Sequence, residues 1–210
     1  MERASFFGIK NLKKIMYCIL RPEMESTREK LLRATYRLML EKGYDKVGVS
    51  DLQAQLNISR GLLYRYFKSK KDLVLEVCRE FFYSRYFDPE IDYDKITLRQ
   101  FLDFSAEVIQ RIVHDGQEIE MLKYNTLYSS ALRSDPDFIS VAQKEFDKAR
   151  LVIHNAIVRG EIKSLPENFV GATILAILGR TSYISAIHSN EYICKRIVED
   201  VNTFYDLIKK

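Results

Sequence analysis

The stretch Ser50–Phe67, SDLQAQLNISRGLLYRYF, contains two short helix signals separated by a turn. Ser50 is a favourable N-cap, and Gln53 follows three residues later at the spacing of a capping box. Asn57 tolerates the left-handed conformation that closes a first helix, and Ser59 is a suitable cap for a second. The second helix is basic and aromatic, so the stretch predicts a helix-turn-helix motif.

The overlapping block Ile58–Leu73, ISRGLLYRYFKSKKDL, resembles the signature of the tetracycline-repressor (TetR) family of transcription regulators. Leu62 departs from that signature, because Thr or another small polar residue is frequent there. No hydroxyl contact is therefore expected from position 62, although a leucine methyl group is compatible with contact to thymine. The positions that match are the serine cap, a small residue, the Leu-Tyr-x-Tyr-Phe run and the lysine that opens the next helix: Ser59, Gly61, Leu63, Tyr64, Tyr66, Phe67 and Lys70.

The composition favours an all-α protein with a sizeable core. Of its 210 residues, 47% are hydrophobic, and only 8 Gly and 4 Pro leave little room for β-turns. We expect about nine helices, with a three-helix helix-turn-helix DNA-binding domain over residues 24–87 and its motif at 48–67. A larger helical domain is expected over residues 88–210, and the resemblance implies that it binds an effector and dimerises.

Positive charge is concentrated in the first part of the chain. The formal net charge is only +4, but residues 1–87 hold 18 Lys and Arg against 10 Asp and Glu. This asymmetry predicts a module that binds a polyanion, with an uneven solvated surface as the alternative interpretation.

Residues 1–23 place apolar residues at helical spacing among lysines, and three interpretations remain open. In the first interpretation, translation starts at Met24 and the segment is an upstream artefact. In the second, the segment is a basic arm that lies along DNA. In the third interpretation it is an amphipathic helix that packs on a partner or a membrane surface. The apolar run Ile15–Leu20 is too short for a signal peptide.

The sequence contains no pattern that indicates catalysis or a bound metal. HExxH, GxSxG and a phosphate-binding glycine loop are lacking, and the three histidines have no metal-ligand spacing. Cys18, Cys78 and Cys194 lie far apart without a CxxC, which predicts reduced thiols and a cytoplasmic protein. No apolar run approaches the ~18 residues of a transmembrane helix. We therefore expect no enzyme, no cofactor and no membrane segment.

A helix in the major groove needs donors directed at base edges and at flanking phosphates. Arg60 is the candidate for a guanine or a nearby phosphate, and Gly61 permits close approach. Tyr64 and Tyr66 carry hydroxyls suited to phosphate, and Arg65 suits either target. Further predicted contacts come from the starts of helices, from the residue before the motif and from one apolar side chain: Ser59, Thr27, Arg28, Lys70, Lys46 and Leu62. The predicted partner is a palindromic double-stranded operator.

The resemblance also implies an effector pocket and a homodimer. The dimer would form through residues 167–208, where small side chains alternate with branched ones; packing within one chain is the alternative. An unknown small molecule would bind an aromatic and polar set in the second domain, whose members are otherwise core residues. This set is Phe101, Phe104, Met121, Tyr124, Asn125, Tyr128, Phe146 and His154. An effector-independent activator or an architectural DNA-binding protein is the alternative function.

Overall fold

A computed structural model describes residues 26–81, 91–114, 121–134 and 136–210. Within these ranges the chain forms nine α-helices and no strand apart from one isolated bridge, so the all-α prediction is confirmed. The expectations for residues 1–23, for a helix reaching Phe87 and for a boundary at 87 and 88 lie outside these ranges. The helices are α1 Thr27–Lys42, α2 Val49–Leu56, α3 Arg60–Tyr66, α4 Lys70–Phe81, α5 Leu98–His114, α6 Met121–Ser134, α7 Pro136–Val158, α8 Glu167–Ser185 and α9 Asn190–Ile208.

Helix α1 begins at a serine cap and ends at a glycine. The Glu29 amide donates to the Ser26 hydroxyl at 3.2 Å, and the Ser26 amide donates to the Glu29 carboxylate at 2.8 Å. This reciprocal capping box satisfies two amides that the helix leaves without an internal partner. Gly43 closes the helix with φ 94°, a value that favours glycine. Its ψ of 161° lies outside the left-handed helical region.

The start of α2 corrects one sequence-based expectation. Gly48, two residues before the predicted cap Ser50, is the N-cap. The Gly48 amide donates to the Asp51 carboxylate at 2.7 Å, and the Lys42 ammonium donates to the same carboxylate at 2.7 Å. An acid at the third helical position thus fixes this start, because it captures the cap amide and a cation together.

The first four helices enclose a small apolar core. In the segment between α1 and α4, the buried side chains include Val47, Leu52 and Leu63. Tyr44 is half-buried and packs against this core. The buried residues that the four helices contribute include Leu31, Leu32, Leu38, Met39, Leu52, Leu63, Leu73, Val74, Val77 and Cys78.

Helices α5 to α9 form the larger body, which contacts the first domain through aromatic side chains. Within the first domain, Tyr36 of α1 stacks on Phe81 of α4 with ring centroids 4.6 Å apart, and Phe81 in turn meets the body. The hydroxyl of Tyr124, on α6, donates to the Phe81 carbonyl at 3.4 Å. In the last two helices, α8 ends at Ser185, and Ser189 caps the start of α9.

A polar cluster around Glu161, called here the Glu161 cluster, joins the starts and ends of three body helices. The Glu161 carboxylate accepts the amides of Leu98 and Arg99 at 3.1 Å each, and so caps α5. It also accepts the Tyr205 hydroxyl at 3.2 Å and the Arg159 guanidinium at 3.4 Å. Only 12% of the Glu161 side chain is exposed. Four donors therefore satisfy a largely buried carboxylate.

Among the described helices, none has the length and apolar character to cross a membrane. The same ranges of the chain bring together no three His, Cys, Asp or Glu side chains that could hold a metal ion.

Candidate nucleic-acid interface

Helix α3 divides cleanly into a buried face and an exposed face. Leu63 is buried with 1% exposure, and Phe67, which follows the helix, is buried with 4%. The side chains between and beside them face solvent, so one face fixes α3 on the domain and the other is available to a partner. This exposed face, called here the reading surface, comprises Ser59, Arg60, Gly61, Tyr64, Arg65 and Tyr66. Leu62 is half-buried at its edge.

The arginines of the reading surface have no carboxylate partner among the described residues. Arg60 stands over the ring of Tyr64, with the guanidinium carbon 5.5 Å from the ring centroid. Neither Arg60 nor Arg65 forms an ion pair with any carboxylate in the part of the chain described here. Stacking on an aromatic face limits the directions of Arg60 while leaving its donors open.

Two backbone features shape the reading surface. The Ser59 hydroxyl accepts the Leu62 amide at 3.2 Å, so Ser59 caps α3 as predicted. Asn57 adopts φ 50° and ψ 48°, which closes α2 in the left-handed conformation that the sequence indicated. The tight turn therefore arises from one Asn and one Ser, each in a conformation its side chain favours.

Gly61 is exposed in the first turn of α3, and its own fold does not require a glycine there. A Cβ added at this position would meet only the Ser59 hydroxyl oxygen, at 3.9 Å, which is ordinary contact. Glycine in a helix costs up to about 1 kcal/mol relative to alanine. Packing within the chain gives no reason for this cost.

The remaining residues predicted to contact DNA differ in exposure and in pairing. Thr27 and Lys46 are exposed, and Lys70 is half-buried at the start of α4. The Asp72 amide donates to the Ser69 hydroxyl at 3.1 Å, which caps α4. Arg28 differs from the others, because its guanidinium is paired with the Glu76 carboxylate.

An ion pair between Lys42 and Asp51 connects the end of α1 to the start of α2. The hydrogen bond from Lys42 lowers the pKa of Asp51, and the Gly48 amide and the charge of Lys70 lower it further. The ionised carboxylate is therefore the form that joins α1 to α2.

The structure places the predicted effector residues in two groups. Phe101, Met121 and Tyr124 are buried, and three others are half-buried: Phe104, Asn125 and Tyr128. Phe146 and His154 lie on the exposed side of α7 and not with the interior group.

The interior group is apolar around a few hydrogen-bonding side chains. Burial raises the pKa of Tyr128 to about 12, with added effects of Glu145 and Cys78. The Asn125 amide donates to the Ser182 hydroxyl at 2.5 Å. The His154 ring instead contacts the Glu167 carboxylate at 2.7 Å at the surface.

Sequence reasoning missed two acidic residues that join helices of the first domain, Asp51 and Glu76. Asp51 could have been found, because it stands three residues after Gly48, in the acid position of a capping box. Glu76 carries no such signal, because its partner Arg28 is 48 residues away in the chain.

Comparison with known proteins agrees with the fold and the motif. Residues 31–77 match the family model described as bacterial regulatory proteins, tetR family. The transcriptional regulator AcuR of Cereibacter sphaeroides is 30% identical over 91 residues, which cover 43% of this chain and 38% of AcuR. The matches span between 19% and 38% of the length of the curated relatives.

Solved structures extend the likeness in fold to most of the chain. A TetR-family regulator from Marinobacter aquaeolei is 20% identical with a TM-score of 0.60, covering 89% of this chain and 92% of that one. A regulator from Saccharomonospora viridis, solved in complex with choline, is 16% identical with a TM-score of 0.63, covering 87% and 97%. Residues 31–77 therefore match the DNA-binding domain of the tetR family of bacterial regulatory proteins, and the fold of most of the chain is similar to that of solved TetR-family regulators.

Proposed function

We propose that this regulator binds a palindromic DNA operator as a homodimer and represses transcription until a small molecule releases it. The reading surface is the observation that carries the proposal. It presents two arginines and two tyrosines outward from a helix that Leu63 and Phe67 fix on the domain. Arginine forks suit guanine edges or phosphates, and tyrosine hydroxyls suit phosphates. Such a regulator would act in the cytoplasm.

Gly61 supports a close approach by a partner. The space beside it is open in the free protein, so a Cβ would be accepted by the fold. A helix that keeps glycine at such a place gains nothing in stability. A DNA backbone or base edge lying against α3 supplies the missing reason, because glycine alone lets two backbones approach closely.

The outer face of α8 supports the homodimer. Its exposed apolar side chains include Phe169 at 58% and Tyr183 at 78%, and Ile187, two residues after the helix, is 76% exposed. Small residues stand between them on the same face, among them Ala176 and Gly179. A helix that is apolar on its outer side as well as its inner side gains by packing on a second copy.

In the last helix, the branched residues predicted for the dimer pack within the chain. Ile193, Ile197 and Val201 are buried against the protein's own core. The dimer proposed here therefore uses the opposite face of α9, with Tyr192 and Val198, together with the outer face of α8.

The interior group of α5 and α6 supports an effector site. Met121, Tyr124, Asn125 and Tyr128 lie within about two turns of α6, and the polar atoms of Asn125 and Tyr128 suit one or two hydrogen bonds to an apolar ligand. A ligand that contacts Tyr124 would act on Phe81, the last residue of α4, because the two are hydrogen-bonded. Release follows only when the ligand prefers one separation of the two reading surfaces.

The test is selection of duplex DNA from a random pool by the purified protein at low ionic strength. We expect a palindrome whose half-site centres lie about 10 bp or a multiple apart. The affinity should fall with salt at a log–log slope of about −0.9 per phosphate contact. A protein that retains no duplex at any ionic strength would overturn the proposal.

The effector is tested separately, by thermal-shift screening of apolar compounds followed by operator binding. A ligand raises the melting temperature by binding the native state. We expect the same ligand to weaken operator binding. Ligands that stabilise the protein and leave operator affinity unchanged would instead indicate effector-independent DNA binding.

A further inference from the structure

Arg28 has two partners within the protein, both outside its own helix. It stands in the first turn of α1, and its guanidinium pairs with the Glu76 carboxylate in the middle of α4. The guanidinium carbon also lies 5.6 Å from the centroid of the Phe67 ring. One planar group thus touches α4 by charge and the end of α3 by stacking.

The position of Arg28 near the start of α1 favours an anionic partner. A cation in the first turn of a helix meets the positive end of the helix dipole, which is unfavourable. Glu76 offsets this repulsion, because the ion pair places an anion beside the guanidinium. Phe67 is buried directly after the recognition helix, and its amide donates to the Leu63 carbonyl at 3.1 Å. A group held against Phe67 therefore acts on the last turn of α3.

We propose that Arg28 is a positioning residue for the recognition helix and not a ligand of the DNA backbone. The inference rests on the DNA-binding function proposed above, and it replaces the phosphate contact that the sequence suggested for this residue. Arg28 joins the start of α1, the end of α3 and the middle of α4. Glu76 shares the role, since its carboxylate pairs with the Arg28 guanidinium.

The experiment compares R28M, E76Q and the double variant with K30M. Lys30 is the matched control, because it is an exposed cation in the same region of α1 and has no ion pair among the described residues. For each full-length variant, operator affinity is measured across a salt series, and the melting temperature is measured without DNA. The operator is the one selected by the wild-type protein.

A positioning role predicts that R28M and E76Q each weaken operator binding about fivefold at every salt concentration. The salt slope should stay at the wild-type value, because no phosphate contact is lost. The double variant should bind as well as either single variant, because both remove the same link. K30M should keep the melting temperature of the wild type.

Three results would overturn the inference. R28M could flatten the salt slope by about 0.9, which is the signature of a lost phosphate contact. E76Q could tighten operator binding, as expected when a phosphate ligand is freed from a competing carboxylate. Both variants could also match the wild type in affinity and melting temperature.

R28K covers the case in which R28M does not fold. Lysine keeps the charge but cannot stack and pair at once. We expect R28K to bind operator more weakly with an unchanged slope, and full wild-type affinity would contradict the positioning role. The melting temperatures separate this inference from the proposed function. Non-additive losses in R28M, E76Q and the double variant test the link even when the wild type binds no DNA, and additive losses reject it.

Discussion

The reading surface and the Glu161 cluster both contain arginines, but they use them differently. On α3, Arg60 and Arg65 face solvent without a carboxylate partner among the described residues. In the body, Arg159 donates to Glu161 and to the Ile96 carbonyl at 2.8 Å, and Arg99 pairs with Asp103. The body's arginines are paired within the fold, whereas the donors of the reading-surface arginines meet no carboxylate among the described residues.

This difference separates charges that stabilise from charges that recognise. A buried charge must be fully hydrogen-bonded, and removing one partner leaves the others unsatisfied. A solvated cation near no anion adds little to stability, and its free energy appears on binding. Changes in the Glu161 cluster should therefore affect folding, and changes in the reading surface should affect DNA binding.

The largest effect is expected from Glu161→Ala. The change removes the carboxylate that caps α5 and accepts Tyr205 and Arg159, and we expect a loss of about 3 kcal/mol in the free energy of unfolding. Chemical denaturation measures it. Asp206→Ala is the control, because Asp206 is an exposed acid paired with Lys209. A loss no greater than that of the control would show that the Glu161 cluster does not stabilise the body.

The next effect is expected from Arg60→Ala. Operator binding should weaken by roughly 1–3 kcal/mol, and one base position should lose its preference when the contact is bidentate to guanine. Binding to a set of single-base operator variants measures this. Equal losses on every sequence would assign Arg60 to the backbone, and a lowered melting temperature would contradict the division between the two regions.

A smaller effect is expected from Lys70→Ala. Lys70 opens α4 beside the reading surface, where a cation and the helix start both favour a phosphate. We expect weaker binding to all sequences and a salt slope flatter by about 0.9. Fluorescence anisotropy at several ionic strengths measures the slope. A slope equal to that of the wild type would place Lys70 outside the interface.

Gly61→Ala should produce opposite changes in stability and binding. Because a Cβ at position 61 meets only the Ser59 hydroxyl oxygen at 3.9 Å, the free protein should gain up to about 0.5 kcal/mol from better helix propensity. Operator binding should weaken, because the added methyl group obstructs close approach. Parallel thermal melts and binding assays measure both changes. Unchanged binding would remove the close-approach argument.

The smallest effect is expected from protonation of the Asp51 carboxylate at low pH. Its pKa in the folded protein is lowered, first by the hydrogen bond from Lys42. The stabilisation is therefore present above the unfolded-state pKa of about 3.9, and it is lost as the pH falls through the lower folded value. Melts from pH 7 to 3 should show a smaller acid-induced loss in Asp51→Asn than in the wild type. Identical pH profiles would exclude Asp51 as a contributor.

Local signals in the sequence predicted much of the first domain. Ser26 with Glu29, Asn57 and Ser59 each act through neighbours within three or four residues, so their effects are readable from the chain alone. The start of α2 was wrong because Ser50 outranks Gly48 as a cap, and the decisive bonds come from Asp51.

The missed features depend on contacts between distant residues. Glu161 meets the start of α5 across 62 and 63 residues, and helical periodicity carries no information on such pairings. The aromatic and polar composition also placed Phe146 in the effector set, but its side chain is 37% exposed in the fold. Periodicity shows that a helix has an apolar side, and only packing decides which residues it buries.

The outward position of Tyr183 has a practical consequence. The chain contains no tryptophan, so Tyr183→Trp would create a single fluorophore of that kind. Tyr183 is 78% exposed in one copy, and the indole emission should shift to shorter wavelength when a second copy covers it. A dilution series read at one excitation wavelength would then report the strength of self-association directly.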